Sequence, residues 1–271
     1  MYIGDYKITK REAISSVVIV CLMMVVGFFI STWISDRIAQ KNEVFYKAVK
    51  INGDANMFSY GIKTGVGNVL AYGTVTAREP VSLPELVGDY YSVSKITERY
   101  TRHVRTVVVS LGNGKTTTRT EVYYTWDTVS SDEYKTDTIE FLGQVMPSTD
   151  IKLNNDQILE LTKENVSSKN QAQIYGNYIY KNRFVFSSVG DIRYYYVVIP
   201  TSTNGTLLAT LKAGEFKALG ALYVDQTPQQ VVDDIAYGEG IPIIIFWVFW
   251  SLITVGSAIG FVCMENKWLE D

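Results

Sequence analysis

AISSVVIVCLMMVVGFFISTWIS, residues 13–35, carries no charged side chain over about 23 positions. At about 1.5 Å of rise per residue, a helix of that length crosses the roughly 30 Å hydrocarbon core of a bilayer. Residues 240–264, GIPIIIFWVFWSLITVGSAIGFVCM, repeat the pattern between Glu239 and Glu265. The competing reading for each run is a buried core helix, but such a helix rarely continues past about 18 residues without a charge. The spacing therefore predicts two transmembrane helices. A cleaved signal sequence is a further reading of the first run, because Lys7, Lys10 and Arg11 precede it. Its apolar length exceeds the roughly 7–15 residues of a signal core and no small-x-small cleavage pattern follows, which points to a retained anchor. Thr9-Lys10-Arg11-Glu12 has the spacing in which a hydroxyl and a carboxylate each satisfy a free backbone N–H at a helix start.

Working outward, the chain divides into a tail (1–12), a span (13–35), a helical stalk (36–54), an extramembrane domain (55–238), a second span (240–264) and a tail (265–271). Ile34, Ile38, Phe45 and Val49 keep helical spacing through the stalk until Asn52-Gly53-Asp54. Two spans put both termini on one side. Lys and Arg flank the first span on both sides, but long loops translocate largely regardless of charge, so the short basic N-terminal tail governs. That places the termini in the cytoplasm and the domain outside. Cys21 and Cys263 both lie in the spans, which leaves the domain without a disulfide framework or thiolate metal site and suits a bacterial cell membrane. A net charge of −3 argues against nucleic acid as a partner.

Between the spans the texture is β. Residues 68–77, 89–100, 137–145, 183–189, 192–200 and 205–213 read as strands, residues 154–168 (NNDQILELTKENVSS) as one internal helix, and Thr227-Pro228-Gln229-Gln230 as a capped helix start that Gly238 can close. No linker divides the region, so the fold class is α+β: one antiparallel, β-rich domain between two transmembrane helices.

The longest ribbon is YTRHVRTVVVSLGNGKTTTRTEVYYTWDTV, residues 100–129, with a hairpin corner at Gly112-Asn113-Gly114. Side-chain alternation puts Tyr100, Arg102, Val104, Thr106 and Val108 on one face with Val122, Tyr124 and Trp126 sharing a face on the return strand, and His103, Arg105, Val107 and Val109 on the other. The aromatic end belongs in the body and the corner projects. Arg102, His103, Arg105, Lys115 and Arg119 form a basic arm that either grips lipid headgroups or an acidic partner, or protects an exposed hairpin from edge pairing. His103 is expected to have cationic rather than carboxylate neighbours. With one histidine and no domain cysteine, multi-histidine zinc and Cys-His catalysis are excluded, and no phosphate loop or nucleophile elbow occurs. No cofactor or metal is expected. Asp132, Glu133, Asp137 and Glu140 read as a solvated strand and turn, since Lys135 interrupts them. In the second span, Gly256 and Gly260 have the G-x-x-x-G spacing of a helix-packing face, which either joins two copies or receives the first span near Gly27.

Tyr124-Thr125-Trp126, Val189-Gly190-Asp191-Ile192-Arg193 and Lys212-Ala213-Gly214-Glu215-Phe216, in that order between two spans, resemble the LUMA-type inner nuclear membrane protein family, and the domain is similar to the membrane-adjacent domain of GIDE-type ubiquitin ligases. The chain departs from both: it has one C-terminal span where LUMA-type proteins have several, and it lacks the ligases' cysteine-rich RING. The resemblance implies a non-catalytic membrane organiser, in contact with lipids, that assembles with itself or with other membrane proteins. The rival reading is a membrane-tethered enzyme or an accessory subunit of a transport complex.

Overall fold

The computed structural model describes residues 2–3, 6–7, 10–112, 114–181 and 187–268. In chain order the elements are β1 (Tyr2–Ile3), β2 (Tyr6–Lys7), α1 (Lys10–Tyr46), β3 (Val49–Asn52), α2 (Ala55–Thr64), β4 (Gly67–Ala77), β5 (Tyr90–Gly112), β6 (Lys115–Lys135), β7 (Thr138–Phe141), β8 (Gln144–Pro147) and β9 (Gln157–Ile158). They continue with β10 (Ile174–Tyr175), β11 (Tyr178–Tyr180), β12 (Ile192–Pro200), β13 (Ser202–Lys212), β14 (Glu215–Ala218), β15 (Tyr223–Val224) and α3 (Pro228–Trp268). Two compact units result, Met1–Val49 with Pro228–Asp271, and Lys50–Thr227. The class is α+β with antiparallel sheets and a long helix at each end.

In the first unit α1 and α3 run antiparallel, and both are long and apolar enough to cross a membrane. The Trp250 indole donates to the Met23 carbonyl (2.8 Å), Trp247 donates to Ser31 Oγ (3.2 Å), and Asn42 and Tyr46 both donate to Glu239 Oε1 (3.0 and 2.7 Å). Gly27 is buried against Trp250, and a Cβ there would come within 2.6 Å of the indole Cδ1. The outward faces stay apolar: Leu22, Phe28, Phe29, Phe249 and Leu252 are all exposed. Four hydroxyls in these runs are satisfied within their own helix, as Thr32, Ser251, Thr254 and Ser257 each donate to the carbonyl four residues earlier, whereas the buried Ser16 hydroxyl has no partner among the described residues. Donation to the preceding turn lets an apolar helix carry Ser and Thr without presenting an unpaired polar group.

Three sequence expectations change. The stalk helix ends at Tyr46, and Val49–Asn52 is a strand beside β4, because alternation buries Ile51 (1% exposed) against the sheet. Asn52-Gly53-Asp54 therefore opens α2: Gly53 takes a positive φ of 73°, and the Asp54 carboxylate accepts from the Asn56 and Met57 amides, both at 2.9 Å. Residues 154–168 form no helix but an extended and turning segment. There Asn165 competes for backbone groups, accepting from the Thr162 amide and donating to the Glu160 carbonyl at 2.7 Å, while Leu161 and Val166 are buried in the core. Finally, Gly238 does not end the last helix, which runs unbroken from Pro228 through Pro242 to Trp268. Pro242 conflicts with the carbonyl four residues back, and that residue is Gly238, whose lack of a side chain leaves the backbone room to adjust.

The second unit contains two sheets. One has the order β14-β13-β4-β7-β8, with β15 beside β13 and β3 beside β4, and α2 packs Phe58 edge-on to Phe141 and Phe216. The other has the order β10-β11-β12-β5-β6, with β9 beside β12. Val93, Ile179, Tyr196 and Val198 line one face of this second sheet and are covered by Leu83, Leu86, Leu161 and Val166. Tyr196 is fully buried, its hydroxyl has no partner among the described residues, and desolvation pushes its phenol far up. The strand expected over 183–189 and the Thr9 cap fall largely outside the described residues.

Candidate functional site: a two-stranded arm

β5 and β6 are much longer than their neighbours. β12 pairs with β5 only from Tyr90 to Arg99, and Tyr100 still exchanges backbone bonds with Gly190 and Asp191 (both 2.9 Å); from there to the corner, among the described residues, the ribbon has two strands and no third. At about 3.3 Å per residue, that stretch is roughly 40 Å long. The positive φ values of Gly112 (81°) and Gly114 (74°) turn the corner, while Asn113 lies outside the described residues. The register pairs Tyr100 with Trp126, Arg102 with Tyr124 and Val104 with Val122, so the predicted faces hold. Val104, Val108, Val122 and Tyr124 on one face, and Val109 and Tyr123 on the other, remain exposed.

The basic residues do not form a free cationic patch. Arg105 donates to Glu121 Oε2 from Nε (3.1 Å) and a terminal nitrogen (3.0 Å), and Arg119 donates to Glu121 Oε1 (2.6 Å). Those bonds, from Arg119 first and Arg105 second, hold the Glu121 carboxyl below its usual range. His103 Nε2 sits 2.6 Å from Asp127 Oδ2 and stacks on Tyr123 at 5.1 Å, which corrects the expectation of purely cationic neighbours. The carboxylate lies four positions further along the return strand than Tyr123, on the same face, a diagonal that sequence spacing alone does not reveal. Bonds from the Thr125 hydroxyl first, then His103 and Thr101, hold the Asp127 carboxyl below its usual range. Arg102 is exposed and has no ion-pair partner among the described residues. Lys115 opens β6 at the corner.

Sequence reasoning missed what fixes the arm to its sheet. Arg193 of β12 donates from Nε to Glu98 Oε2 (2.6 Å), with both side chains largely buried. Its guanidinium lies 4.3 Å from the Trp126 ring centroid and 3.8 Å from that of Tyr178. Trp126 meets Tyr100 at 5.2 Å and Tyr180 at 5.7 Å, so rings from three strands converge on the arginine of a fourth where β12 stops pairing. The available signal was an arginine inside an aromatic strand, Ile192-Arg193-Tyr194-Tyr195-Tyr196.

Gly256 and Gly260 face open space. α1 packs instead on Trp247 and Trp250, so Gly27 meets Trp250 and not the glycine pair. Among the described residues no group of three or more His, Cys, Asp or Glu side chains is placed to hold a metal. Asp132 and Glu133 are exposed on β6. The chain matches no protein-family model, no curated protein and no solved structure.

Proposed function

We propose that this chain is a non-catalytic integral membrane protein that uses the β5–β6 arm to assemble with other proteins at the membrane surface. The observation that carries the reading is the uncovered ribbon. A two-stranded hairpin is marginally stable in water, and this one leaves valines and tyrosines exposed on both faces while a buried arginine and a ring cluster fix its base. Ion pairing on the arm's own Glu121 and Asp127 favours a protein surface over a lipid headgroup layer as the ligand, because three of the arm's five basic side chains, His103, Arg105 and Arg119, already pair within it. The outward apolar side chains of α1 and α3 support insertion of both helices, and the short basic N-terminal tail favours termini in the cytoplasm. The resemblance to LUMA-type proteins points in the same direction.

The test replaces Arg102–Tyr124 by Asn-Gly, closing the ribbon just above Thr101 and Thr125. Stability of the domain should change by less than about 1 kcal/mol, since the removed residues make few buried contacts. Proteins that co-purify with the parent in mild detergent should be lost. Retention of every co-purifying protein by the trimmed chain would refute the arm as the binding element.

A further inference from the structure

Resting on that reading, we infer that the arm's partner is a second copy of this chain, joined edge to edge through β6 in antiparallel register. Three observations lead there. First, β6 is the last strand of its sheet, and among the described residues no strand pairs with its outer edge. An open edge presents a row of free N–H and C=O groups, and proteins usually blunt such edges with proline, glycine kinks or inward charges. Residues 116–134 contain neither proline nor glycine. The devices present are the charged side chains of Arg119, Glu121, Asp127, Asp132 and Glu133, which a strand of complementary charge pattern can pair, and a bulge at Val129, where Thr128 faces Glu98 but Ser130 faces Thr97, so regular pairing is available only on the corner side of it.

Second, the charge along β6 is polarised. Lys115 and Arg119 lie toward the corner, whereas Glu121, Asp127, Asp132 and Glu133 lie toward the base, where Lys135, the last residue of the strand and beyond the bulge, is the one positive charge. A parallel neighbour would set like charges together. An antiparallel copy sets the positive part of each strand against the negative part of the other, which is the self-complementarity a two-fold interface requires.

Third, one register satisfies both conditions. A two-fold axis perpendicular to the ribbon must place side chains of the same face opposite one another. With the axis at Tyr123, Arg119 of each copy faces Asp127 of the other, Glu121 faces Thr125, Val122 faces Tyr124, and Thr118 faces Thr128. The paired stretch stops one residue before the bulge. The exposed Val122, Tyr123 and Tyr124 then become cross-strand neighbours in a four-stranded ribbon, the minimum beyond which β-structure is independently stable being about three strands.

The experiment uses the full chain in native membranes with Cys21→Ala and Cys263→Ala, so that added cysteines are the only thiols. Tyr123→Cys should give a covalent dimer with a short bismaleimide, whereas Thr117→Cys should not, because its two copies would lie about 40 Å apart. Arg119→Glu and Asp127→Lys, each added singly to the Tyr123→Cys chain, should reduce that dimer about tenfold. Co-expression of the two charge variants should restore it as a heterodimer, since each then supplies the sign the other lacks. Equal crosslinking at positions 117 and 123, no crosslinking at 123, or no recovery on co-expression would overturn the inference. A photo-crosslinker at position 123 separates this failure from that of the wider reading. An adduct only with a different protein removes the second copy but keeps the arm as an interaction element, and no adduct at all removes both.

Discussion

Replacing Arg193 by leucine tests the account of how the arm is held. The substitution removes the partner of Glu98, whose side chain is only 13% exposed, and leaves that carboxylate in a site walled by rings. Breaking a buried ion pair from one side costs about 3–5 kcal/mol, most of it from the charge left behind. Losing the contacts to Trp126 and Tyr178 adds about 0.5–2 kcal/mol, part of which the leucine recovers by packing. An expected loss of about 4 kcal/mol is a large share of the roughly 5–15 kcal/mol typical of a domain. For a unit of this size it corresponds to a fall of about 8–16 °C in Tm. Thermal unfolding of the full chain in detergent, followed by the β-sheet circular dichroism band, reads it. Glu98→Leu/Arg193→Leu removes both charges and should recover at least half of the loss. A single-variant loss within about 0.5 kcal/mol, or a double variant no better than the single, would refute the reasoning.

Tyr196→Phe removes a buried hydroxyl that lacks a partner among the described residues, so the stability of the domain should stay the same or rise by up to about 1 kcal/mol; a drop of more than about 1 kcal/mol would show that the hydroxyl is bonded. Gly27→Leu should destabilise the helix pair by about 1–3 kcal/mol, because the new side chain meets the Trp250 ring, while Gly256→Leu should leave the monomer unchanged. Filling the open face with Gly256→Ile and Gly260→Ile should alter the crosslinked ladder in native membranes if that face packs between copies, and an unchanged ladder would dismiss it. Glu121 and Asp127 have carboxyl pKa values held below normal, so their contribution to arm order is present above the ordinary carboxylate range and is lost only as pH falls through the lower folded values. Carboxyl NMR titration should therefore find each midpoint below that of an ordinary Glu or Asp side chain; midpoints at ordinary values would contradict the pairing.

The long helices and the ribbon were legible because their signals are local: charge-free runs, and strands alternating around Gly112 and Gly114. The errors share a cause, since each turned on partners distant in the chain. Ile51 prefers a strand because β4 is there to pair with, and Leu161 and Val166 look helical in spacing but are drawn one by one into the core under Tyr196. Gly238 read as a terminator, yet with Pro242 four residues on it is the residue that lets the helix continue. At the arm, the sequence showed five basic residues but not that Glu121 serves two of them, nor that Asp127 reaches His103 diagonally. The Arg193–Glu98 pair joins positions 95 residues apart, and only strand register brings them together.

The central claim is that both long helices cross a membrane and leave the β-rich unit on one side of it. Sealed vesicles of known orientation, washed in alkaline carbonate and then treated with protease from the outside, test it directly. The account predicts that the chain stays in the pellet, that residues 50–227 are digested only where the extracytoplasmic face is outward, and that two protected fragments containing α1 and α3 remain. Release of the chain by carbonate, or digestion that leaves neither fragment, would contradict it.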